Sequence, residues 1–258
     1  MGIVLLAVLL FPLYWIVNVS LQHGASSAGT DWFPIQPDLG GYRTALGEQG
    51  DHLVTSLVIG VGSAVLSVLI AAPAAYALAQ FRSRWVNVVL FAVLISQMVP
   101  GIVVANALYS AYQDLGLLDS YLGLILADST AGIPFAILVI RAFMLGLPRS
   151  VIEAANLDGA GHVRTFVSVV LPMSVNAIVT AALFAFLFAW GDFLFALTLT
   201  TTGAVQPATL GLYQYIGSYV SDWSSVMATA VLSSIPAVLL LAVAQPYVAA
   251  GTTAGAVK

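Results

Sequence analysis

Four carboxylates stand out in this sequence by position. Glu153 and Asp158 lie close together in "SVIEAANLDGAG" (Ser150 to Gly161), while Asp128 and Asp192 each interrupt a long apolar run. Paired acids are the raw material of general acid–base chemistry, or of a dyad that shares one proton. Little else here completes such machinery. There is no cysteine, hence no thiol nucleophile and no thiolate metal site. No histidine, lysine or metal ligand falls within the Ser150 to Gly161 stretch, so Glu153 and Asp158 lack partners for catalysis. A dyad of Asp128 with Asp192 requires both acids at one depth, and their flanks carry no protease signature beyond a bare Gly191-Asp192. No catalytic residue and no metal site is expected.

The elements that hold these acids follow from composition. The chain is 60% hydrophobic and 7% charged, with a mean hydropathy of +1.02. A soluble domain carries roughly a quarter charged residues, so the solvent of this chain is lipid. A net charge of -4 excludes the basic face that a nucleic-acid partner demands. Ile3 to Val19 has the apolarity of a secretory leader, and "ASSA" (Ala25 to Ala28) resembles a cleavage site. The missing basic n-region and the length of the run favour an uncleaved first span.

A helix crosses the hydrocarbon with about 20 apolar residues. Punctuation by charge predicts six such spans: Ile3 to Ser20, Leu53 to Gln80, Val86 to Tyr109, about Tyr121 to Phe143, about Met173 to Thr198, and about Trp223 to Tyr247. Arg82, Arg84, Arg141, Arg149, Arg164 and Lys258 fall on one side of this arrangement, and Arg43 alone on the other. That bias predicts cytoplasmic termini, with external loops at about 21–52, 110–120 and 199–222. No internal repeat or low-complexity linker is evident, so a single transmembrane domain over 1–258 is expected.

The Ser150 to Gly161 stretch then occupies the longest cytoplasmic loop, about 146–172. Ser150-Val151-Ile152-Glu153 has the form of a capping box, and Asp158-Gly159 is a helix stop. The expected product is a helix of two or three turns outside the membrane, too short to be stable without a surface beneath it. On pattern alone, an amphipathic connector at the headgroups remains an equal reading.

The segment "EAANLDGAGHVRTFVSVVLP" (Glu153 to Pro172) closely resembles the EAA motif of binding-protein-dependent ABC importer permeases, through Glu153, Ala154, Ala155, Asp158, Gly159, Ala160, Phe166 and Leu171-Pro172. "AAYALAQFR", "LGLLDSYLGLIL", "RAF", "FAWGDFLFAL" and the C-terminal "GTTAGAVK" agree with the carbohydrate branch and its maltose-type second permease. Gly191 stands where that family commonly has asparagine.

The resemblance implies an all-α membrane protein of type I permease architecture, with six transmembrane helices and a cytoplasmic EAA coupling helix. It implies a sugar importer, with a second permease subunit, two ATPase subunits that carry ATP and Mg, and an extracytoplasmic solute-binding protein. With Lys258 the only lysine, this chain has no P-loop of its own. Glu153, Ala154, Ala155, Asp158, Gly159 and Ala160 are then expected to couple to the ATPase, and Asp128, Trp190, Asp192 and Phe193 to touch the translocation path. A permease for a non-sugar solute, or a secondary transporter using Asp192 as a coupling-ion carboxylate, are the alternatives.

Overall fold

The computed structural model describes residues 1–25, 29–81, 83–218 and 222–253. Arg82, Lys258, most of "ASSA" and the end of "GTTAGAVK" lie outside the described residues. In chain order the helices are α1 (Gly2–Ser20), α2 (Gly40–Gln80), α3 (Arg84–Ser96), α4 (Gly101–Leu115), α5 (Tyr121–Leu145), α6 (Arg149–Leu157) and α7 (His162–Thr165). A single wide turn over Phe166–Val170 follows, then α8 (Leu171–Met173), α9 (Val175–Trp190), α10 (Leu194–Leu199), α11 (Ala208–Ser218) and α12 (Trp223–Thr253).

The first, second, fourth and sixth expected spans are each one helix long and apolar enough to cross a bilayer. The third and fifth are corrected. Span three is two helices, α3 and α4, bent by 93°. The break falls at Gln97 to Pro100, because Pro100 has no N–H to continue α3 and drives the preceding residue out of the helical region. The fifth is a bent pair as well, His162–Met173 and Val175–Trp190 meeting at 79° across Ser174. Pro172 causes this too: lacking an N–H, it is accommodated by the wide turn just upstream. The second helix starts at Gly40 instead of Leu53, where Asp38 accepts the Gly40 amide at 2.9 Å. Hydropathy marks only the part of a helix that meets lipid, and its polar first turns escape that signal.

The chain divides into two compact units, Met1–Ser56 with Val205–Leu239, and Leu57–Ala204 with Leu240–Lys258. In the first, the segment after α1 is tied down by polar side chains. Asn18 Nδ2 and Gln22 Nε2 both donate to the Asp31 carbonyl, and Gln22 Oε1 accepts the Asp31 amide. Trp32 packs edge-on against Trp15 at 5.5 Å, so the start of "DWFPIQPDLGGY" (Asp31 to Tyr42) packs against α1, while Gly40 to Tyr42 already belong to α2.

The second unit holds the candidate site. Its core joins Ala71, Ala72, Ala75 and Tyr76 of α2 to Ala136, Ile137, Ile140 and Met144 of α5, with Val170 and Ala181. Small residues let these helices approach closely, which is how helices associate where lipid removes the hydrophobic drive. At Gly132 a Cβ would fall 2.5 Å from Ser67 Oγ and 3.2 Å from Ala185 Cβ, so α5 meets α2 and α9 nearly backbone to backbone. Ser129 Oγ bonds back to the Ile125 carbonyl at 2.6 Å and keeps its polarity inside the helix pair.

Candidate functional site

Helix α6 forms where the sequence places it, but its start differs. The capping box is not made. Pro148, in extended conformation, occupies the N-cap with no side-chain bond, and Ser150 already has helical backbone in the first turn. A serine there cannot adopt the non-helical geometry that an N-cap needs, and Glu153 has no cap amide to reach back to.

The far end is built as expected. The Ala160 amide donates to the Ala155 carbonyl at 3.0 Å and the Gly159 amide to Asn156 at 3.1 Å, with Gly159 at φ +80°. This pair of bonds with a left-handed residue between is a Schellman stop. It satisfies carbonyls at the helix end and turns the chain sharply into α7.

Three faces of α6 do different things. Ile152 packs on the α2–α5 core, and Phe166 beyond the turn packs on Tyr76 at 5.0 Å, so the α6–α7 corner is seated on its own unit. Val151 and Ala155 are half-buried. Arg149, Ile152, Glu153 and Asn156, spaced three and four apart, line a cleft. Ser150, Ala154, Leu157 and Asp158 form an exposed stripe, with Leu157 89% exposed, and Val163 beyond the turn is 77% exposed. Gly159 and Ala160 shape the corner. The helix thus presents apolar side chains outward from a firmly seated base.

The intramembrane acids are brought together. Asp128, on α5, is 5% exposed, and Asp192 is near enough for the two charges to interact. Buried Tyr112 of α4 shares the same neighbourhood. Asp192 is not within a continuous span. It occupies the break after α9, and its carboxylate accepts the amides of Phe195 at 3.0 Å and Ala196 at 3.1 Å. Gly191 precedes it as the C-cap of α9. Trp190 is buried and stacks on Phe186 at 5.4 Å, and Phe193 is half-buried at the cap of α10. Asp192 therefore starts a helix, while Trp190 anchors the end of another.

Two charged residues that the reading of the sequence did not single out for a site have defined structural partners. Arg141 donates through Nε to the Leu78 carbonyl at 3.1 Å, pinning α5 to the end of α2. Its signal was a lone charge closing an apolar run. Asp119 accepts the amides of Thr201 and Thr202 and the Thr201 hydroxyl, all within 2.8 Å, and ties the start of α5 to the end of α10. No local pattern announces that contact, because its partners lie more than eighty residues away in sequence.

Residues 67–253 match the family described as binding-protein-dependent transport system inner membrane component. The trehalose transport system permease protein SugB of Mycobacterium tuberculosis is 32% identical over 255 residues, which cover 96% of this chain and 92% of that protein. The sulfoquinovosyl glycerol transport system permease protein SmoH of Agrobacterium fabrum is 30% identical over 253 residues, covering 96% and 89%. Among solved structures, a bacterial ABC transporter involved in the import of the acidic polysaccharide alginate superposes with a TM-score of 0.81 at 24% identity, covering 95% of this chain and 92% of that one. At that identity the likeness shows the fold alone.

Proposed function

The chain belongs to the family of binding-protein-dependent transport system inner membrane components, and on that premise we propose that it is one permease subunit of an ATP-driven sugar importer. It is a transport subunit. Sugar is the substrate class that the trehalose and sulfoquinovosyl glycerol relatives favour. Its partners are a second permease that completes the path, two ATPase subunits binding ATP and Mg, and an extracytoplasmic solute-binding protein. Both termini are cytoplasmic, which puts the α6 corner on the ATPase side.

The observation that carries this reading is the build of that corner. A nine-residue helix is marginal alone; here its base is seated on the α2–α5 core and its outer stripe, Ala154, Leu157 and Asp158, is exposed among the described residues. Ala154 permits close backbone approach of a partner, and Leu157 offers an apolar knob for a cleft. Closure of the ATPases on ATP moves the seated corner as a rigid unit and rocks the helices it is packed on. Asp128, Trp190, Asp192 and Phe193 remain the proposed contributors to the path, with Asp192 and Trp190 acting through the break that they hold in shape.

Cross-linking tests the proposal directly, since the chain has no native cysteine. In the complete transporter, Leu157→Cys should cross-link to an ATPase subunit bearing a single cysteine in its docking cleft, and the yield should change with ATP. Cross-linking absent under every nucleotide condition, in a complex that still takes up trehalose or maltose into vesicles, sinks the assignment.

A further inference from the structure

We propose that the cleft walled by α2, α3, α5 and α6 holds the phosphate-bearing headgroup of an anionic membrane phospholipid. The cleft has a volume of about 440 Å³. Two guanidinium groups line it, Arg141 from α5 and Arg149 from α6, against one carboxylate, Glu153. None of the three is in an ion pair; among the described residues the only one is His23 with Asp38. Among the described lining residues the surplus is one positive charge, which matches a headgroup with a single phosphodiester. The bond from Arg141 Nε to the Leu78 carbonyl fixes the guanidinium plane and commits only one of its donors. Arginine in a fixed orientation suits phosphate oxygens, which it binds in a fork.

The rest of the wall completes the match. Helix α3 starts at the cleft, with Ser83 and Asn87 lining it, and the positive end of a helix favours an anion there. Asn87 and Asn156 supply amide donors for headgroup hydroxyls or phosphate oxygens, and Leu147 and Ile152 give an apolar edge.

The surroundings favour lipid over a free anion. Phe81 and Trp85 stand exposed beside the cleft, and the Arg84 guanidinium lies 5.7 Å from the Trp85 ring centre. Aromatic rings with basic residues mark a membrane–water interface. From there α3 continues as an apolar helix with no buried residue, including Val88, Val89 and Phe91, along which acyl chains can lie. Basic pockets between spanning helices on the cytoplasmic side are a recurrent form of lipid-headgroup site. The choice of leaflet rests on the proposed orientation; occupancy of the cleft does not.

The test uses the complete transporter in nanodiscs of phosphatidylcholine doped with phosphatidylglycerol, with retained lipid read by native mass spectrometry. Wild type should retain phosphatidylglycerol selectively. Arg149→Gln, at an exposed residue, should lower that selectivity about fivefold, the effect of one basic residue near an anionic surface. Asn87→Asp should lower it similarly, and Arg149→Lys should keep most of it. Arg43→Gln, at an exposed residue of the other unit, should change nothing. Unchanged selectivity in both Arg149→Gln and Asn87→Asp overturns the site. Loss of the bound lipid on adding inorganic phosphate at millimolar levels overturns it as well, because a free anion is then the occupant. Nanodiscs expose both leaflets, so a reversed orientation would leave these readouts intact and would be detected separately by labelling.

Discussion

The carboxylate of Asp192 accepts the backbone amide of Ala196, four residues on, at 3.1 Å, and that of Phe195 at 3.0 Å. An acid that costs about 3 kcal/mol at mid-bilayer depth is here occupied by the free amides of a helix start. Its position in an apolar run reflects a break between α9 and α10.

For Asp192 the expected outcome is therefore loss by misfolding of the break, independent of the sugar. Asp192→Asn retains one acceptor oxygen and should keep most transport, while Asp192→Leu leaves α10 uncapped, at about 1 kcal/mol or more, and should lower complex yield. Uptake measured with two sugars and normalised to yield checks this. A different loss for each sugar would instead give the carboxylate a direct contact with substrate.

Gly159 is the second test. A Cβ there meets nothing within 4 Å, yet φ is +80°, so a substitution is penalised by backbone conformation alone. Gly159→Val should cost roughly 1–2 kcal/mol locally, and Gly159→Asn less, since asparagine tolerates the left-handed region. Transport and ATPase stimulation should fall together in valine and partly recover in asparagine, with insertion unchanged. Equal and normal activity in both variants would remove the Schellman corner from the coupling route.

Asp119 gives a pH dependence. Burial pushes its pKa up, but the hydrogen bonds from Thr202 and Thr201 outweigh this and hold it below the ordinary carboxylate value. A depressed folded value means the clamp contributes fully above the unfolded value of about 4 and is lost as pH falls through the folded one. Asp119→Asn keeps a residue that accepts φ +54° but removes the charge. It should lower stability at neutral pH by about 1–2 kcal/mol and flatten the acid decline. Thermal unfolding of the complex between pH 3 and pH 7 (both about) reads both effects.

Orientation is checked with single cysteines. Gly47 and Gly161 are both exposed, with open space where a side chain would go. Gly47→Cys should react with an impermeant thiol reagent from outside, and Gly161→Cys only after permeabilisation. The reverse pattern overturns the topology.

Hydropathy and charge spacing alone determined that this is an all-α membrane chain, because apolar length and the side of each arginine are local quantities. The EAA-like segment and its Asp158-Gly159 stop were equally legible, since a Schellman end depends on a few adjacent residues. The start of α6 was not: Ser150 to Glu153 fits a capping box, but Pro148 sets the helix start two residues too early for Ser150 to cap it. Likewise Pro100 and Pro172 were visible, yet bends of 93° and 79° depend on what packs around them. Only tertiary structure decided that Asp192 comes near Asp128, that Asp119 clasps Thr201, and that Arg141 and Arg149 share a cleft. Each of these joins groups whose meeting depends on helix packing, and packing is set by many small contacts of residues such as Gly132 and Ala136 that carry no individual pattern.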